Sequence, residues 1–123
     1  MADERRRFNL STWLRAQPPQ AVAVSAITLS ELWFGIEAEI DAPRGRRRRR
    51  WLEKTFRRLE VVPLDAAVAR VHARLWRQLS EAGLMIGPHD LIVAATAAHR
   101  RWAVVTFNAV EFRHVTGLQV IEP

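Results

Sequence analysis

Apolar residues occur along this chain in two alternating patterns, short continuous runs and faces with helical spacing. The clearest helical face predicts an amphipathic helix that Asp65 caps and Gly83 ends. Its apolar positions recur every three or four residues and are Val68, Val71, Leu75 and Leu79. The short runs predict buried strands, which we place over 21–24, 61–64, 103–106 and 118–121.

Further helices are predicted in the intervals between these strands. One begins at a cap, Ser25 or Thr28, and runs to about Ile40. Residues 41–43 resemble a turn. A short turn or helix holds Glu111, and the other predicted helices lie over 8–16, 47–59 and 89–100. Trp51, Leu52 and Phe56 are expected to face inward from the helix over 47–59. Strands that alternate with helices predict an α/β fold, a parallel sheet flanked by helices on both sides and helix-rich overall.

Length and composition narrow the class of protein. The 123 residues suit one domain, 1–123, with its own core. The chain contains no cysteine, which excludes disulfide frameworks, thiolate zinc sites and cysteine nucleophiles. No apolar run is long enough for a bilayer, and no signal-peptide core follows the first residues. We therefore expect a cytoplasmic protein.

The charge balance is strongly basic, with 19 Lys+Arg against 13 Asp+Glu and a formal net charge of +6. All of these cations except Lys54 are arginine, whose planar fork suits phosphate. The bias is concentrated in residues 44–50, where only Gly45 interrupts a run of arginine. This balance favours an anionic partner such as nucleic acid. A genome rich in arginine codons explains the composition equally well.

Two carboxylates, Glu31 and Asp90, lie among apolar helical neighbours without a cation nearby. The residues three and four positions away are Ile27, Thr28, Phe34 and Gly35 for Glu31, and Ile86, Gly87, Val93 and Ala94 for Asp90. A carboxylate in apolar surroundings needs a partner, and two acids on different helices can share Mg²⁺ or Mn²⁺. A helix N-terminus also stabilises Asp90, an arginine across the fold can pair with Glu31, and Glu37 and Glu39 share the same pattern.

Three motifs in order carry a family resemblance. The stretch 25–37, SAITLSELWFGIE, is followed by IGPHDLIVAA over 86–95 and by VVTFN over 104–108 with Glu111 shortly after. Together they resemble the later motifs of PIN-domain ribonucleases, and more narrowly those of the VapC-type toxins of bacterial type II toxin–antitoxin systems. The similarity runs from about residue 13 to residue 123.

The resemblance implies a compact parallel sheet with acids gathered at the strand ends around Mg²⁺ or Mn²⁺. Glu31 and Asp90 would be the catalytic metal ligands, with Thr106 and Asn108 as polar supports. Many relatives place an aspartate at the position of Asn108, and Glu111 is a candidate substitute for it, or a surface acid near a histidine. The implied activity is metal-dependent endonucleolytic hydrolysis of RNA, often tRNA.

The resemblance also implies partners. A cognate antitoxin would neutralise the enzyme, and the toxin would form a homodimer. Trp33 and Phe34 are candidate interface residues, with core packing as the alternative. The candidates for contact with RNA or with the antitoxin are Arg46, Arg47, Arg48, Arg49 and Arg50.

The N-terminal part departs from the family pattern. The family begins with an apolar strand that carries an Asp-Thr-Asn motif, and no such strand precedes the first helix here. We therefore predict an N-terminally shortened PIN-like domain that lacks the first central strand and its catalytic aspartate. Because that ligand is absent, the alternative is a catalytically impaired PIN fold that binds RNA or antitoxin. A basic DNA- or RNA-binding regulator is a further alternative, which the three ordered motifs disfavour.

Overall fold

The computed structural model describes residues 9–18 and 21–123. The elements in this part of the chain alternate between helices and short strands. In chain order they are α1 (Leu10–Arg15), β1 (Ala23–Ser25), α2 (Ala26–Glu37), α3 (Ala42–Phe56), β2 (Glu60–Val62), α4 (Ala66–Ala82), α5 (Pro88–Arg100), β3 (Val104–Val105), α6 (Ala109–Phe112) and β4 (Val120–Ile121). Among the described helices, none has the length and apolar character needed to cross a membrane.

The described residues form two compact units, one that ends at residue 62 and one that spans 63–123. In the first, β1 pairs with β2 in parallel, with Val24 beside Val61. In the second, β3 pairs with β4 in parallel, with Val104 beside Val120. Parallel neighbours need a crossover, which α2 and α3 supply in the first unit and α6 in the second. The predicted helix-rich α/β fold with parallel strands is confirmed, while the single domain over 1–123 and the missing first strand stay predictions.

In the unit over 63–123, α4 packs along α5. Asp65 caps α4 by accepting a hydrogen bond from the backbone N–H of Val68 at 2.9 Å, and Gly83 ends the helix with a left-handed φ of 69°. Both ends were predicted from the sequence and are confirmed. The buried core comprises Val68, Leu75, Leu79, Ile86, Leu91, Ala94, Ala95, Ala97, Val104, Phe112 and Val115.

In the other unit, the N-cap of α2 is Ser25 rather than Thr28. The Ser25 hydroxyl accepts from the backbone N–H of Ile27 at 3.4 Å. The helix ends at Glu37, three residues before the predicted end near Ile40, whose side chain is fully exposed. Helix α1 matches the helix predicted over 8–16, of which residue 8 lies outside the described residues.

Helix α3 begins five residues earlier than predicted. The prediction of a turn over 41–43 is wrong, because Asp41 is the N-cap and Pro43 lies in the first turn, where a missing N–H costs nothing. Leu52 is buried, as predicted. The inward orientation predicted for Trp51 is wrong, because its side chain is 41% exposed while its indole N–H donates to the Ser11 hydroxyl at 3.0 Å.

Candidate active site

The first turn of α5 presents the half-buried carboxylate of Asp90. Gly87 is the N-cap and Pro88 follows it, so the chain enters the helix without a side-chain cap. The unpaired N–H groups and the macrodipole at a helix N-terminus favour a negative charge in this turn. The local fold therefore stabilises an ionised carboxylate at this position without a basic residue on the same helix turn.

Two polar residues after β3 lie beside this carboxylate or support it. The Asn108 side-chain N–H donates to Asp90 Oδ2 at 3.2 Å, although the two residues are 18 positions apart. The Asn108 backbone N–H donates to Thr106 Oγ1 at 2.9 Å, which fixes the loop that leaves the strand. The carboxyl end of β3 thus holds an amide against the start of α5, and Asp90 with Asn108 forms the centre of the candidate site in this unit.

Glu111 lies two positions beyond the start of α6 and is half-buried. Its backbone carbonyl accepts from the N–H of His114 at 3.0 Å. The imidazole of His114 is engaged elsewhere, because its Nδ1 lies 3.0 Å from the carbonyl oxygen of Leu84. The suggested role of Glu111 as a surface acid paired with a histidine is therefore not what the structure shows, and its supporting role stays a prediction.

Glu31 lies in the other unit, on α2, with an exposed side chain. The expectation of an apolar surrounding is wrong for this residue, since Phe34 on the same helix is 73% exposed. Glu31 borders a cleft of about 290 Å³ between α2 and α3, and Arg48 lines that cleft as well. The other lining residues are Leu32, Gly35, Ile36, Trp51 and Leu52. Its role as a metal ligand stays a prediction.

The aromatic pair proposed as an interface divides in its environment. Trp33 is half-buried, and the guanidinium carbon of Arg49 lies 5.3 Å from its ring centroid, within the range of a cation–π contact. Phe34 projects into solvent. Core packing, the alternative for both residues, is therefore wrong for Phe34 within its unit.

The arginine run forms ion pairs that helix spacing does not reveal. Glu39, whose side chain is only 12% exposed, pairs with Arg44 at 3.8 Å and with Arg48 at 3.3 Å. Glu39 also accepts from the backbone N–H of Asp41 at 3.2 Å. Sequence reasoning grouped Glu39 with acids that lack a cation, because its partners lie beyond the junction between α2 and α3. The residue therefore joins these two helices.

The donor atoms around Asp90 fit a hard divalent cation. Mg²⁺ and Mn²⁺ take oxygen ligands, and the Asp90 carboxylate and the Asn108 amide oxygen belong to that class. Over 9–18 and 21–123, no three side chains from His, Asp and Glu come together. This arrangement agrees with Mg²⁺ chemistry, in which one or two carboxylates suffice and water and substrate phosphates complete the coordination.

Comparison with known proteins gives a consistent family. The model of the PIN domain matches residues 1–118. The tRNA(fMet)-specific endonuclease VapC of Salmonella typhimurium is 34% identical over 116 residues, which are 94% of this chain and 80% of that protein. VapC ribonuclease Y4jK of Sinorhizobium fredii is 32% identical over 117 residues, which are 90% of this chain and 81% of that protein.

Solved structures agree with these sequence matches. The crystal structure of DNA-bound VapBC from Salmonella typhimurium superposes with a TM-score of 0.81 at 26% identity, over 98% of this chain and 90% of that one. FitAcB from Neisseria gonorrhoeae gives a TM-score of 0.85 at 25% identity over the same shares of the two chains. With the similarity extending over nearly its whole length, the chain belongs to the PIN-domain family and, within it, to the VapC ribonucleases.

Proposed function

We propose that the protein is a metal-dependent endoribonuclease toxin that hydrolyses RNA phosphodiester bonds and is neutralised by a cognate antitoxin. The observation that carries this proposal is the 34% identity, over 94% of the chain, to a tRNA(fMet)-specific endonuclease. Transfer RNA is accordingly the substrate to test first, and the cytoplasm is where we expect the enzyme to act. The toxin–antitoxin assignment is supported by the VapBC structures that this chain resembles.

The catalytic centre is proposed at Asp90, with Mg²⁺ or Mn²⁺ as the resident metal. Asp90 and the amide oxygen of Asn108 would hold it, and Glu31 is assigned the same role from the family resemblance. When bound, the ion supplies Lewis acidity that activates water and offsets charge on the phosphate. Thr106 and Glu111 are proposed as supporting polar groups.

The chain's own residues orient the groups that meet the substrate. The bond from Asn108 Nδ2 fixes one oxygen of the Asp90 carboxylate, which leaves Oδ1 to face the reacting groups. The Thr106 hydroxyl anchors the backbone of Asn108 and so keeps the amide in place. In hydrolysis the oxygen of water bonds to phosphorus, one phosphorus–ester oxygen bond breaks, and the leaving oxygen takes a proton. Preorganisation of this kind lowers the barrier because no reorientation is needed during reaction.

The proposed partners are a cognate antitoxin and a second copy of the chain. The exposed ring of Phe34 supports an interface on α2, because an aromatic ring of this size gains most from a partner that covers it. Trp33 is proposed to border the same interface.

The proposal is tested by incubating the purified chain with tRNA in EDTA, in Mg²⁺ and in Mn²⁺, alongside two matched variants. Asp90→Asn removes the proposed ligand charge. Asp65→Asn makes the same chemical change at a helix cap that asparagine also serves. We expect cleavage only with metal, lost in Asp90→Asn and retained in Asp65→Asn. Cleavage in EDTA would contradict the mechanism, and RNA binding without cleavage by the unaltered chain would favour the binding-module alternative.

A further inference from the structure

The basic side chains of α3 separate into two sets by their partners. Three arginines are engaged within their unit: Arg44 and Arg48 pair with Glu39, and Arg49 contacts Glu53 at 3.7 Å and the ring of Trp33. The second set forms no ion pair or hydrogen bond with any residue that the structure describes. Its members, which we call the basic strip, are Arg46, Arg47, Arg50, Lys54 and Arg57.

The basic strip occupies one continuous face of the helix. Its members follow one another at intervals of three, four and seven residues, which places them on the side opposite the buried Leu52. All five are exposed. From Arg46 to Arg57 the strip extends roughly 16 Å along the axis. Glu53 lies at its border and faces Arg49, so the strip itself holds no acid.

A row of five like charges repels itself, and no acid within the described residues of the strip offsets this cost. Such a face is stabilised by an external anion. A folded protein partner needs an apolar or aromatic centre to its interface, and no large apolar side chain lies among the strip residues. Arginine forks in a row match successive phosphates instead. The chemistry therefore favours a polyanionic backbone over an acidic protein surface.

We propose that the basic strip binds the phosphodiester backbone of the RNA substrate in a sequence-independent manner. The choice of RNA rests on the proposed function, while the site itself rests on the charges and partners along α3. Arg48 and Arg49 stabilise the fold and do not contact phosphates. The contact anchors an RNA on the enzyme without specifying its sequence.

The test compares two triple variants that remove the same charge from the same helix. Arg46→Gln/Arg47→Gln/Arg50→Gln removes strip residues, and Arg44→Gln/Arg48→Gln/Arg49→Gln removes the paired arginines. Binding of a fluorescein-labelled tRNA transcript to the full chain is followed by anisotropy in EDTA across a salt series. Loss of three phosphate contacts lowers the slope of log affinity against log salt by about 2. The strip variant should show that loss, and the paired variant less than half of it.

Two further measurements keep the result decisive. The charge-retaining Arg46→Lys/Arg47→Lys/Arg50→Lys variant should recover most of the slope, and thermal unfolding checks that each variant is folded. An unchanged slope in the strip variant, or equal losses in both triple variants, would overturn the proposal. A loss confined to duplex DNA or to antitoxin binding would also overturn it. Because binding is measured without metal, a chain that fails to cleave RNA would refute the nuclease proposal and leave this result intact.

Discussion

Replacing Glu39 by glutamine removes the charge that joins the end of α2 to the start of α3. The carboxylate is 12% exposed and lies 3.3 Å from Arg48 and 3.8 Å from Arg44, whose own side chains are more than half exposed. Glutamine keeps the shape of the side chain and can still accept from the N–H of Asp41. The substitution therefore isolates the ionic part of the interaction.

The expected cost follows from the exposure of the partners. Each pair with a half-exposed arginine contributes about 0.5 kcal/mol. Loss of the single acid among so many arginines adds a few tenths of repulsion along α3. The free energy of unfolding should thus fall by roughly 1–1.5 kcal/mol, which for a chain of this size lowers the melting temperature by about 4–6 °C.

Thermal unfolding followed by circular dichroism measures this shift, with Glu37→Gln as the control. Glu37 is exposed at the last position of α2, where a negative charge faces the negative end of the helix dipole. Its neutralisation should leave the melting temperature unchanged or slightly raised. In about 1 M salt the effect of Glu39→Gln should shrink by more than half. Equal melting temperatures for the two variants at low salt would refute the ionic role of Glu39.

Three other changes probe the core, a helix end and the candidate site. Leu52→Ala should destabilise the chain by about 2–5 kcal/mol, since the side chain is 1% exposed, and urea unfolding measures the loss. Gly83→Ala should cost about 1 kcal/mol from its φ of 69° alone, because nothing lies within 4 Å of the added methyl group, and the same titration reports it. Asn108→Asp places a second carboxylate beside Asp90. The melting temperature should fall in EDTA and rise more steeply with Mg²⁺ than that of the unaltered chain; no difference would argue against a metal at this pair.

Local chemistry predicted much of the fold. The apolar face of α4, its cap at Asp65 and its end at Gly83 depend only on residues within a few positions, and all three are confirmed. The turn predicted over 41–43 failed because proline and aspartate favour turns and helix starts alike. Nothing local distinguishes the two outcomes at this position.

Contacts between distant residues could not be predicted from spacing. The bond between Asn108 and Asp90 depends on how β3 meets α5, and the pairs of Glu39 depend on the junction between two helices. Family resemblance brought Asp90 and Asn108 to attention together, whereas Glu39 had no such help. Glu31 shows the opposite error, because apolar neighbours in the sequence did not imply a buried carboxylate.

The most direct test of the central claim is the single-turnover rate of tRNA cleavage as a function of Mn²⁺ concentration, measured for the unaltered chain and for Asp90→Asn. If Asp90 holds the catalytic ion, loss of roughly 3 kcal/mol of stabilisation should slow cleavage by about 100-fold at subsaturating metal. Higher Mn²⁺ should recover part of the rate. A variant that cleaves as fast as the unaltered chain across the whole titration would contradict the assignment of the active site.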